Sequence, residues 1–135
     1  MYKNPEPGLR QLADGAYAWL AHEGGWGWSN AGLIVDGEAS LLVDTLFDLA
    51  LTADMLAAMR HAEPGARDIG TLVNTHANGD HCHGNALVTG AEIIASSAAA
   101  QEMAELTPET MQALTEAAGD MGAVGEYFLH CFRLH

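Results

Sequence analysis

The sequence predicts an α/β fold: a mixed β-sheet with helices mainly on one face. Three observations carry that expectation. Two apolar, β-prone runs flank the pair Asp36-Gly37, helical periodicity follows over Asp48 to His61, and the short buried run Thr71-Leu72-Val73-Asn74-Thr75 comes after it. Runs joined by a turn pair antiparallel, whereas a strand reached through a helical crossover pairs parallel, so the sheet is expected to contain both.

Taken in order, Gly15 to Ala21 alternates small and aromatic residues and suits a first strand. Beyond the glycine-rich stretch Gly24 to Asn30, Ala31 to Val35 and Ser40 to Asp44 read as a hairpin, with Glu38 and Ala39 making its connection longer than the tightest type. Leu49, Leu51, Met55, Leu56 and Met59 recur at helical spacing, and Pro64-Gly65 stops that helix. Ile69 to Thr75 is a buried strand. Gly84 to Val88 suits a short helix, Ala91 to Ala95 another strand, and Ser97 to Leu106 and Pro108 to Gly119 two further helices, the second opened by Thr107-Pro108-Glu109-Thr110.

Composition narrows the function classes. With 135 residues, 49% of them hydrophobic and 17% charged, the chain fits one globular domain and buries roughly two thirds of its unfolded surface. Its net charge of −13 arises from 18 acids against 5 Lys and Arg. Such a surface repels phosphate backbones and anionic lipids, which argues against nucleic acid or membrane partners, and an anionic substrate would need a bound cation. Two cysteines, Cys82 and Cys131, an opening without an apolar stretch, and no run near the ~20 residues of a membrane span lead to the expectation of a cytoplasmic protein with free thiols.

The chemistry concentrates in His76-Ala77-Asn78-Gly79-Asp80-His81-Cys82-His83, which follows directly on the buried strand. Imidazole, carboxylate and thiolate are the donors that hold zinc and similar ions, and ligand sites in such sheets gather beyond the carboxyl ends of the strands. A turn through Asn78-Gly79 would direct His76, Asp80 and His81 toward one cavity, with Gly79 supplying a permissive backbone. A catalytic zinc takes three protein ligands plus water, a structural one four.

Other readings stand beside this one. Asp80 near a helix start would also cap it. Cys82 is either a soft ligand or a buried thiol behind the loop, and Asp44 either fixes a histidine tautomer or is a turn residue. His22, His61 and His83 read as surface or satisfied core residues. Trp26 and Trp28 suit either a flap over a substrate or a hairpin tip covering the core. Their glycine-rich setting lacks the final glycine of a dinucleotide fingerprint and precedes a strand, so no nucleotide cofactor is indicated.

The string Thr75-His76-Ala77-Asn78-Gly79-Asp80-His81 resembles the His-x-His-x-Asp-His signature of the metallo-β-lactamase superfamily, and the hairpin leading to Asp44-Thr45 resembles that family's lead-in. The resemblance spans roughly the whole chain but only the amino-terminal half of a family domain. It implies that residues 1–135 form a single incomplete domain, one half of the αβ/βα sandwich. Residue by residue, it assigns His76 to a first metal position and Asp80 and His81 to a second, with Asp80 as the catalytic group that orients the attacking hydroxide. The implied cofactor is Zn2+, as one or two ions. Asn78 stands where a second histidine is usual and is a poor zinc ligand beside imidazole, so the first position is weakened and single-ion occupancy at Asp80-His81 is favoured.

Family members take further ligands from the carboxy-terminal half, and this sequence ends at His135. His130 and His135 lack the glycine and aspartate context of the family's later motifs, and a truncated domain is the expectation. The activity implied is metal-dependent hydrolysis of a small-molecule ester, thioester, lactone or related bond, because a bound zinc lowers the pKa of its water from ~15.7 toward ~7. The alternative is a catalytically inactive half-domain that acts through self-association or partner binding. Half a sandwich leaves one sheet face bare, and a homo-oligomer is expected.

Overall fold

A sheet of six strands, arranged in the order in which the chain makes them, carries the site at one end. The structure, a computed structural model, describes residues 6–21 and 29–105, with single positions 107, 109, 113, 116, 117 and 122 beyond. The glycine-rich segment with Trp26 and Trp28, His22, most of the helix expected over Pro108 to Gly119, His130, Cys131 and His135 lie outside the described residues.

The strands are β1 (Gly8–Ala13), β2 (Ala16–Leu20), β3 (Ala31–Asp36), β4 (Ala39–Val43), β5 (Thr71–Val73) and β6 (Glu92–Ile94). β1 to β4 pair antiparallel, then β4 with β5 and β5 with β6 pair parallel, which gives the mixed sheet expected. β1 was not foreseen. Its sequence Gly-Leu-Arg-Gln-Leu-Ala has no clear alternation, and as an edge strand it is defined by its pairing with β2 rather than by a buried face.

The hairpin also differs from expectation. Asp36 pairs directly with Ala39, so the loop is only Gly37-Glu38, the tightest type. Gly37 has φ +59°, a backbone that primed two-residue turns require and that glycine adopts without penalty.

Helix α1 (Leu49–Ala62) crosses from β4 to β5. Asp48 caps it by accepting from the Leu51 N–H at 2.7 Å, and Arg60 and His61 in the last turn suit the negative end of its dipole. Its buried Met55, Leu56 and Met59 form the core with Leu33, Leu42 and Leu72. Those three leucines are in register across β3, β4 and β5, which is why one face of each strand is apolar at every second residue. Two further helices are short: α2 (Gly79–Cys82) and α3 (Ser97–Glu105).

The other face of the sheet carries Gly32, Val43, Val73 and Ile94 in one register row, with Ile34 and Leu41 beside them. Ile34 is 53% exposed and Ile94 47%. Among the described residues no helix is long and apolar enough to cross a membrane.

Candidate metal centre

The site is built where β4 and β5 end side by side. Parallel pairing of Val43 with Val73 brings the next residues, Asp44 and Asn74, to the same edge, and the Asp44 N–H donates to the Val73 carbonyl at 2.8 Å. Asp44 is the one non-glycine residue with positive φ, +60°, among the described residues. Aspartate tolerates that left-handed backbone better than most side chains, at a cost of about 1–2 kcal/mol. The bend turns its carboxylate back over the start of the metal loop.

Both oxygens of that carboxylate accept from the loop. Oδ1 accepts from the Thr75 N–H at 2.8 Å, and Oδ2 accepts from the Thr75 hydroxyl at 2.7 Å and from His81 Nδ1 at 2.9 Å. The Thr75 hydroxyl has a single proton and gives it to Asp44. Its 2.8 Å contact with His76 Nδ1 is therefore a bond in which the imidazole N–H donates. Each histidine is thus held through Nδ1, His76 by Thr75 and His81 by Asp44, and Nε2 is the ring nitrogen that remains for a ligand. That is an arrangement in which imidazole binds a metal.

The two rings lie 4.1 Å apart between centroids and are tilted by 50°. One ligand-type atom from each of Asp44, His76 and His81 falls within 4.8 Å of the others, a cluster with the geometry to hold a cation. Asp80 stands in the first turn of α2, with Oδ2 at 3.5 Å from His81 Nε2. Of the residues the sequence singled out, the fold brings His76 and His81 together with Asp44, which follows β4, while Asp80 lies against His81 but outside that group of three.

The remaining candidates turn elsewhere. Cys82 is buried and its thiol donates to the carbonyls of Ala77 and Asn78 at 3.4 Å, so it packs behind the loop. Burial above all, and then the Asp44 and Asp80 carboxylates, push its pKa up to about 11. His83 faces Phe47, ring centroids 5.6 Å apart, and burial lowers its pKa, with the Phe47 backbone and the Asp80 charge opposing. Its Nδ1 is buried and has no hydrogen-bond partner among the described residues. His61 is exposed on α1.

Asn78 caps α2 with its backbone alone, its side chain exposed and making no capping bond. Gly79 does not have the positive φ expected of it. It is the first residue of α2, and a Cβ there would sit 2.2 Å from the His83 ring, so any larger residue must displace that ring. Thr75, with Asn74 and Asn85 close to the loop, was not weighed from sequence. The available signal was the run of polar side chains interrupting an apolar segment where strands end.

The comparisons with known proteins agree with this geometry. Residues 24–129 match the model of the Metallo-beta-lactamase superfamily. No curated protein matches the chain. Among solved structures, it is similar to a metallo-β-lactamase from Hirschia baltica, with 24% identity, TM-score 0.57, and coverage of 75% of this chain and 48% of that one. The metallo-β-lactamase FIM-1 from Pseudomonas aeruginosa, in its mono-zinc form, gives 24% identity, TM-score 0.57, and coverage of 77% and 48%. A third, from Erythrobacter litoralis with β-mercaptoethanol in the active site, gives 25% identity, TM-score 0.55, and coverage of 72% and 44%. The chain spans about half the length of the solved structures it matches. From its family match and its fold, the chain belongs to the metallo-β-lactamase superfamily.

Proposed function

We propose that this chain forms the ion-binding part of a metal-dependent hydrolase, in which His76, Asp80 and His81 hold zinc and the substrate is a small molecule with an ester, thioester, lactone or related bond. The observation that carries the reading is the pair of histidines held through Nδ1 by Asp44 and Thr75, with His81 Nε2 turned toward the Asp80 carboxylate. The spacing supports it. Two ligands of a tetrahedral ion at ~2.1 Å lie ~3.4 Å apart, and Asp80 Oδ2 and His81 Nε2 are 3.5 Å apart.

Bound zinc supplies Lewis acidity and a water acidified toward neutral pH. The protein's part is orientation. Asp44 and Thr75 fix the rings, and the Asp80 carboxylate, itself negative, adds affinity for the cation and accepts a hydrogen bond from the attacking water. Asp44 orients Thr75 and His81 through its carboxylate, and its place within 4.8 Å of the histidine ligand atoms also puts it within reach of the ion. With Asn78 in place of a histidine, a single ion at Asp80-His81 is the favoured occupancy. Zinc stoichiometry by elemental analysis, followed by an ester and lactone screen with and without chelator, tests the reading. Protein that stays metal-free and inactive after zinc reconstitution overturns it.

A second reading, association with another copy of the chain, is favoured by the exposed apolar side chains Ile34 and Ile94 on one face of the sheet. Sedimentation measures it directly: a strictly monomeric, cooperatively folding protein contradicts association.

A further inference from the structure

We infer that Ser29, Thr45 and Asn74, braced by Asn85, form an uncharged clamp that positions the metal loop by gripping its backbone carbonyls; the inference rests on the reading of Asp80 and His81 as metal ligands. Helix α2 has only four residues, too few to satisfy its own carbonyls, and a helix end left in that state is held by other groups or frays. Here the two orphaned carbonyls belong to the two candidate ligands. The Asp80 carbonyl accepts from the Ser29 hydroxyl, at the start of β3. The His81 carbonyl accepts from the Thr45 N–H at 3.0 Å and from Asn74 Nδ2 at 2.9 Å.

Those donors are themselves fixed. Asn85 Nδ2 donates to Asn74 Oδ1 at 2.7 Å, and Asn85 Oδ1 accepts from the Thr45 hydroxyl at 2.9 Å and from Asn74 Nδ2 at 3.3 Å. Thr45 is 0% exposed and Asn74 2%, so the bonds are made away from competing water. Three separate chain segments, at Ser29, Thr45 and Asn74, thus converge on one peptide turn, and Asn85 braces two of them. None of the four side chains carries charge or binds zinc well, so they hold the backbone without competing for the ion. An imidazole or carboxylate in the same place would offer the cation a wrong partner.

They are positioning residues, since they act through Asp80 and His81. The probe is Co(II) with the full chain, its dissociation constant read by competition and its visible absorption recorded, beside the melting temperature of the metal-free protein. Asn85→Ala and Thr45→Val are expected to weaken Co(II) binding about tenfold or more and to change the intensity of the absorption bands. Thr45→Ser, which keeps the hydroxyl, restores both. Ser29→Ala removes only the bond to Asp80 and gives a second, milder loss should Asn85→Ala fail to fold.

Variants that melt earlier but, while folded, bind Co(II) with the parent's affinity and spectrum overturn the clamp and leave the metal reading intact. A parent chain that binds no Co(II) overturns the metal reading, and the clamp's function with it.

Discussion

Asp44 and His81, 37 positions apart, meet through Oδ2 and Nδ1 at 2.9 Å. The bond fixes which imidazole nitrogen faces the loop's interior, and through Thr75 the same carboxylate governs His76. Asp44→Asn keeps the side chain's shape and tolerates the left-handed backbone, but it removes the charge that favours both N–H donors. Zinc affinity of Asp44→Asn is expected to fall 10–100-fold, with the melting temperature changed little by comparison; titration against a chelating dye measures it.

Asn78→His should act in the opposite direction. Its side chain is exposed and makes no capping bond, so replacement costs the fold little. It returns an imidazole to the position where the family carries one. Tighter zinc binding, or a rise in bound zinc per chain by elemental analysis, is the expected result, and unchanged affinity and stoichiometry count against a metal role for this loop.

Gly84→Ala isolates the packing of the loop on α1. The backbone at Gly84, φ −82° and ψ 0°, suits any residue, but a Cβ would lie 2.0 Å from Thr52 Oγ1 and 2.7 Å from its Cβ. Thr52 is fully buried and its hydroxyl accepts from the Leu46 N–H, so it has nowhere to move. Urea denaturation should show a loss of about 1–3 kcal/mol.

Cys82 is expected to be inert in the fold. In a Cys131→Ser background, a thiol reagent at pH 8 should label it only after unfolding. The pH dependence has a definite sign. The folded thiol keeps its proton until about pH 11, against about 9 when unconstrained. Its contribution to stability is therefore complete below pH 9 and disappears as pH rises through 11. Melting temperatures of the parent and of Cys82→Ala, compared across that window, should converge at the alkaline end.

The helix over Leu49–Ala62 was legible because its apolar spacing and its Asp48 cap are local, and the loop was legible because donor chemistry concentrates in eight consecutive residues. The convergence on Asp44 was only half legible. A carboxylate at a strand end offers two fates, and choosing between them requires knowing that β4 and β5 lie side by side with Val43 opposite Val73. The clamp was not legible, since Ser29, Thr45, Asn74 and Asn85 become neighbours only after the sheet forms. Gly79 shows a subtler failure. Its identity was read as conformational freedom, whereas in the structure its missing side chain leaves room for the His83 ring.

The collinear order of the six strands has a bearing on how this site comes into being. A nascent chain leaving the ribosome can lay each strand against the one synthesised just before it, without waiting for distant partners. Ser29, Asp44 and Thr45 all precede residues 74–85 in the chain, so the strands that carry them can pair before the turn with the histidines is synthesised.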